Sequence, residues 1–141
     1  RNVLELHGTA REVACLDCTA RYDTNPFVAK FLAYDRVPDC PKCGGWLKHA
    51  TISFGQKLPP DVLMEAFRWT READLLLVIG SSLVVTPAAD LPRIAKDRGT
   101  KLVVINREPT PVDSIADATL RGSIGDLLNA IDREIASENA S

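Results

Sequence analysis

The sequence predicts an α/β fold, with a partial parallel sheet and its helices joined to a small ribbon closed by four cysteines. Three observations carry this. Asp74–Gly80 and Lys101–Asn106 are near-continuous apolar runs separated by a helix-length segment, the composition of strands buried on both faces of a parallel sheet. The only cysteines form two C-x-x-C pairs, Cys15/Cys18 and Cys40/Cys43. Near the end, Ile124, Leu127, Leu128, Ile131 and Ile135 fall on one stripe of a helix.

Composition excludes several functions. Hydrophobic residues make up 45% of the 141-residue chain and charged residues 26%, ordinary values for a globular protein of one domain, or one domain plus a small module. No apolar run approaches the roughly 18 residues of a membrane span. The net charge of -2 offers nucleic acid no general attraction. Residues 11–50, where a nucleic-acid-binding ribbon would carry a basic stripe, hold six basic against five acidic side chains. Reduced, metal-bound cysteines fit a cytoplasmic protein.

Residues 1–8 read as a short strand ending in a polar turn. Asn25-Pro26 reads as a helix cap followed by proline in the first turn, with Phe27, Phe31 and Tyr34 at helical spacing. Thr51–Gly55 is a short extended stretch. Pro59-Pro60-Asp61 opens a helix whose apolar face carries Val62, Leu63, Ala66, Phe67 and Trp69. After the first buried strand, Pro87–Arg98 reads as a helix closed by Gly99. Lys101–Asn106 is the second strand and Ala116–Leu120 a short third. Ser123 caps the last helix, which runs to about Ile135. Strands and helices in this order make half of a doubly wound sheet, with one raw edge. A chain that opens at Arg1 within an apparent strand reads as a piece of something longer.

Two residues between cysteines let one tight turn aim both sulfurs at a single ion, and 21 residues between the pairs allow a ribbon to fold back and close the site. The expected occupant is structural zinc, held by Cys15, Cys18, Cys40 and Cys43. Two disulfides in a secreted protein, or iron in the same cage, are the alternatives. A closed four-thiolate site has no open position for chemistry.

In open α/β sheets, ligands bind beyond the carboxyl ends of the strands. Gly80-Ser81-Ser82-Leu83, Asn106-Arg107-Glu108 and Gly122-Ser123-Ile124 occupy such ends. Hydroxyls and backbone N–H groups suit phosphate or ribose oxygens, and Asn and Glu suit ribose hydroxyls. The alternative is ordinary turns and helix caps. No G-x-G-x-x-G is present. His7, beside Gly8 at the end of the expected first strand, is open to a structural or a catalytic reading. His49 reads as a surface residue. Phe54-Gly55 with Leu58-Pro59 reads as a peptide-pairing edge or as a linker.

Taken together, these motifs resemble the sirtuins, the NAD-dependent protein lysine deacylases. They occur in the family's order: Glu5-Leu6-His7-Gly8, the two cysteine pairs with Cys40-Pro41-x-Cys43-Gly44-Gly45, Ile52-Ser53-Phe54-Gly55-Gln56, Ala73-Asp74 with the strand to Gly80-Ser81-Ser82-Leu83, Val85-x-Pro87-Ala88-Ala89, Ile105-Asn106 and Pro109-Thr110. The resemblance covers residues 2 to about 132. It implies that 12–50 are the zinc module, and that 1–11 and 51–141 are the C-terminal part of a Rossmann-like NAD-binding domain.

The resemblance also implies roles. His7 matches the general base, and the four cysteines match the zinc ligands. Ile52, Phe54 and Gly55 match the segment that pairs with an acyl-lysine peptide. Gly80, Ser81 and Ser82 match the NAD ribose and phosphate loop. Asn106 and Glu108 match adenosine-ribose contacts, and Ser123 and Ile124 lie near adenine. In the family's chemistry the acyl oxygen displaces nicotinamide from the ribose, and the base takes a ribose hydroxyl proton, yielding free lysine and O-acyl-ADP-ribose. This sequence has Gln56 where the family has glutamate, and Ser53 where an apolar residue is common. The family's N-terminal motifs, G-A-G-x-S and T-Q-N-x-D, do not occur in it. The parent therefore reads as a deacylase whose N-terminal half is the partner this chain lacks, and the chain alone as inactive. A catalytically inactive scaffold that binds NAD or ADP-ribose, and a zinc-ribbon interaction module, are the competing readings.

Overall fold

Residues 8–51 hold three short strands set among the cysteine turns. The computed structural model describes residues 2–139, in two units of 2–63 and 64–139. In the first, β1 (Gly8–Cys15) is the central strand of an antiparallel sheet, flanked by β2 (Arg21–Asp23) and β3 (Leu47–Thr51). Register is pinned by Val13↔Tyr22 on one side and by Val13↔His49 and Cys15↔Leu47 on the other, with an irregularity between Gly8 and Val13. Val13, Cys15, Cys40 and Leu47 form the buried core of this unit.

The expected strand over residues 1–8 is therefore displaced. Residues 2–5 are irregular, a turn with Gly8 N–H donating to Glu5 O at 3.0 Å follows, and the strand begins where the expectation had it end. The reason is pairing: β1 finds a partner on each side. Helix α1 (Asn25–Tyr34) forms as expected, but its cap position is Thr24 rather than Asn25, and Asp23 Oδ1 accepts the Asn25 N–H at 2.8 Å.

Helix α2 (Pro60–Glu72) opens at the predicted prolines. In the second unit, β4 (Leu75–Ile79), β5 (Lys101–Ile105) and β6 (Ala118–Leu120) form a parallel sheet in that order. Its core is Val78, Leu102, Val104 and Val112, with Leu102 and Val104 fully buried. The segment expected as one helix over 87–98 is a 3₁₀ turn, Ala88–Asp90, followed by α3 (Leu91–Asp97). Helix α4 (Ile124–Glu138) closes the unit. The Ser123 side chain makes no cap bond there, and its carbonyl accepts the Leu127 N–H at 3.0 Å.

One departure concerns β4. The apolar run of β4 predicted burial on both faces, yet Leu75, Leu77 and Ile79 are exposed while Val78 is buried. β4 is an edge strand of a three-stranded sheet, and the face that carries Leu75, Leu77 and Ile79 has no full cover among the described residues.

Candidate functional site

The metal centre is built by two turns. In the first, Cys15 N–H donates to Ala20 O at 2.9 Å and Thr19 N–H to Cys15 O at 3.1 Å, folding Cys18 back over Cys15. In the second, Cys40 N–H donates to Gly45 O and Gly44 N–H to Cys40 O, both at 2.8 Å. The pairing of Cys15 with Leu47 and a Leu16 N–H bond to Trp46 O at 2.9 Å bring the turns together.

The four sulfurs lie within 4.8 Å of one another, with Cys15–Cys43 at 3.5 Å and Cys18–Cys40 at 3.7 Å. A tetrahedron with metal–sulfur bonds of about 2.3 Å has sulfur–sulfur edges of about 3.8 Å. The donor set and its spacing thus fit zinc, and all four cysteines are free of disulfides. Tyr22 adds a contact that no spacing rule indicates. Its hydroxyl lies 3.5 Å from Cys40 Sγ, and this hydrogen bond lowers the Cys40 thiol to about 6 while raising the Tyr22 phenol to about 12. A thiol held toward its thiolate is prepared to ligate.

His7 immediately precedes β1 and is exposed. Its carbonyl accepts the Ile52 N–H at 2.9 Å, and Gly8 pairs with Thr51. The backbone thereby holds His7 against the start of the Ile52–Gly55 segment. Gly8 has φ +71, and a Cβ there would lie 2.1 Å from Ala50 O, so close approach of β1 and β3 at this point requires glycine. The Phe54 side chain is 96% exposed, which leaves a large apolar ring available to a ligand. Gln56 Oε1 accepts the Ser53 N–H at 2.7 Å and closes a turn around Phe54-Gly55. The segment is thus a tight turn after β3 rather than a continuous extended edge.

In the second unit, the three strand ends lie side by side. Gly80 N–H donates to Ile105 O at 2.9 Å, and Asn106 N–H to Leu120 O at 3.2 Å. Gly80 also closely faces α4, since a Cβ there would lie 2.8 Å from Ile124 Cδ1. Gly80, Asn106 and Ile124 are therefore gathered at one end of the sheet. Ser82, Glu108 and Ser123 are exposed there, and Ser81 Oγ accepts the Leu83 N–H at 3.3 Å. Asn106 Nδ2 donates to the Glu108 carbonyl at 2.8 Å. Sequence reasoning missed Arg121, which reaches back to this loop and donates to Glu108 O at 2.9 Å. An arginine in a polar turn has no spacing signature of its own.

A four-thiolate cluster fit for zinc and a parallel three-stranded sheet define an α/β protein with a metal ribbon. The chain belongs to the Sir2 family, whose model matches residues 1–87. It is 46% identical over 131 residues to NAD-dependent protein deacetylase 2 of Streptomyces coelicolor, a match covering 93% of this chain and 54% of that protein. It is 43% identical over 136 residues to NAD-dependent protein deacylase 2 of Archaeoglobus fulgidus, covering 96% and 53%. Among solved structures, a Sir2 protein with a p53 peptide and NAD+ superposes with a TM-score of 0.89 at 36% identity, over 96% of this chain and 56% of that one. The chain spans about half the length of the curated relatives it matches.

Proposed function

We propose that the protein acts in NAD-dependent removal of acyl groups from protein lysines. The observation that carries this is the attachment of exposed His7 to the Ile52–Gly55 segment through the Ile52 N–H bond, within a stretch that matches the Sir2 family. NAD, when bound, supplies a cleavable bond between ribose and nicotinamide.

The residues then take these parts. Ser81 and Ser82 offer two hydroxyls to ribose and phosphate oxygens, beside Gly80, whose own N–H is engaged with Ile105 O. The Glu108 carboxylate accepts from ribose hydroxyls, and Asn106, whose Nδ2 is engaged within the loop, accepts through Oδ1. Ser123 and Ile124 border the adenine. Phe54 and Ile52 border the acyl chain, and the backbone around Gly55 pairs with the substrate peptide. His7, exposed, takes a proton from a ribose hydroxyl at an unprotonated ring nitrogen. Zinc on Cys15, Cys18, Cys40 and Cys43 holds the ribbon.

The exposed Leu75, Leu77 and Ile79 of β4 support a further part of this reading. The remaining half of a Sir2-type domain pairs with this edge and covers that face, in keeping with the length of the relatives. Four free thiols suited to metal support a cytoplasmic location. Among the described residues no helix is long and apolar enough to cross a membrane.

The test is incubation of the protein, as its complete gene encodes it, with an acetyl-lysine peptide and NAD, following deacylated peptide, nicotinamide and O-acetyl-ADP-ribose by mass spectrometry. His7→Ala should lower turnover by about 10²–10⁴-fold with little change in melting temperature. Tight NAD or ADP-ribose binding without turnover would favour a binding scaffold. Normal turnover per folded molecule of His7→Ala would remove His7 from the mechanism.

A further inference from the structure

We propose that Arg121 is the positioning residue of the loop that meets the adenosine ribose, its guanidinium tying two parts of the β5–β6 connection together so that Asn106 and Glu108 are held in place before ligand arrives. The inference rests on the reading of Asn106 and Glu108 given above.

Two parts of the β5–β6 connection converge on this guanidinium. Nη1 donates to the carbonyls of Asn106 at 3.2 Å and Glu108 at 2.9 Å, both in the loop that follows β5. Nη2 donates to Asp113 Oδ2, in the 3₁₀ turn Asp113–Ile115 that ends the same connection. Arg121 itself follows β6. The Asp113 carboxylate extends the network, taking the Thr110 hydroxyl on Oδ1 at 2.6 Å and the Thr110 N–H on Oδ2 at 3.0 Å. Thr110 is buried, and the Asn106 amide donates to the same Glu108 carbonyl at 2.8 Å.

The far end of the connection is also anchored by buried Val112 and by Arg93 Nη2 donating to Pro111 O at 2.9 Å, whereas the tip that carries Glu108 has fewer ties. Arg107, Glu108, Pro109 and Pro111 are exposed, and the two prolines have no N–H to give. A planar fork with several donors can serve two carbonyls and a carboxylate at once, which a lysine ammonium on a flexible stem does poorly. A loop ordered in advance spares the ligand the entropy of ordering it, so the gain appears in affinity and not in the chemical step.

The experiment uses the protein as its complete gene encodes it and reads three quantities: ADP-ribose affinity by calorimetry, hydrogen exchange of the residue 107–113 amides without ligand, and steady-state constants. Arg121→Ala should weaken ADP-ribose binding and raise the KM for NAD by about 10-fold, with kcat and the KM for acyl peptide nearly unchanged. Exchange across 107–113 should quicken. Arg121→Lys should fall between the unsubstituted protein and Arg121→Ala. A merely structural arginine predicts instead a lower melting temperature, less active protein and an unchanged KM. That result would overturn the proposal, as would normal exchange in 107–113. Asn106→Ala and Glu108→Ala separate the two levels. If they raise the KM for NAD and Arg121→Ala does not, the positioning role fails alone. If neither affects NAD or ADP-ribose, the ribose reading fails and the proposal falls with it.

Discussion

Gly8→Ala tests how the chain holds His7. Gly8 sits at φ +71, where an alanine pays about 1–2 kcal/mol for a left-handed backbone. Its Cβ would also lie 2.1 Å from Ala50 O and 3.0 Å from Thr51 Cα, both backbone atoms that no side-chain rotation can move aside. Relief requires β1 and β3 to separate where Gly8 pairs with Thr51, which strains or breaks the Ile52 N–H to His7 O bond at 2.9 Å. A lost backbone bond adds about 0.5–1.5 kcal/mol. The sum is about 1.5–3.5 kcal/mol. Gly55→Ala is the control, because Gly55 has φ +83 with nothing within 4 Å of a built Cβ and should show only the backbone cost of about 1–2 kcal/mol. Denaturant titration of zinc-loaded protein, followed by fluorescence and by far-ultraviolet dichroism, gives both values. Turnover per folded molecule should also fall in Gly8→Ala, since the separation displaces His7 from Ile52. Equal destabilisation by the two substitutions, within about 0.5 kcal/mol, would show that the β1–β3 contact at Gly8 imposes no constraint and would refute the reasoning.

Three further outcomes follow from the two cores. A chelator should loosen the cysteine ribbon first, because metal binding in such sites is folding free energy; amides of Val13, Cys15 and Leu47 should exchange before those of Leu102 and Val104, and a metal analysis without zinc would contradict this. Leu102→Ala should cost about 2–5 kcal/mol, read as a lowered denaturation midpoint, since Leu102 is fully buried beside Val78, Val104 and Val112. Asp117 is held down to about 2, first by the Leu102 N–H and then by the Lys96 ammonium. Its folded value lies below the unfolded carboxylate value of about 3.9, so the stability it adds is present above pH 4 and lost as pH falls toward 2. Asp117→Asn should flatten that part of the acid denaturation curve, and an unchanged curve would contradict the assignment.

Local chemistry was legible before any fold was known. Each C-x-x-C turn brings its own two sulfurs together whatever surrounds it, so the four ligands could be read from spacing, while the β1–β3 pairing brings the two turns into one centre. The runs Leu75–Ile79 and Lys101–Ile105 were legible as strands because apolar length and β-branching are local properties. The stripe from Ile124 to Ile135 was legible as a helix for the same reason. The family resemblance lay in ordered motifs and needed no geometry.

Other features depended on partners distant in sequence. The first strand begins at Gly8 and not in Val3–Leu6, because pairing with β2 and β3 decides which extended segment becomes a strand. β4 lies at a sheet edge and keeps Leu75, Leu77 and Ile79 exposed, and no run of five residues states its neighbours. The Tyr22 contact with Cys40 exists because β2 pairs with β1, and the Arg121 contacts exist because β6 lies beside β5. The sequence by itself determined most of the elements and, through two local C-x-x-C turns, the ligand set of the metal site. Only the tertiary structure decided which strand ends meet and which side chains hold the loop after β5, because those contacts join residues whose separation along the chain carries no periodic signal.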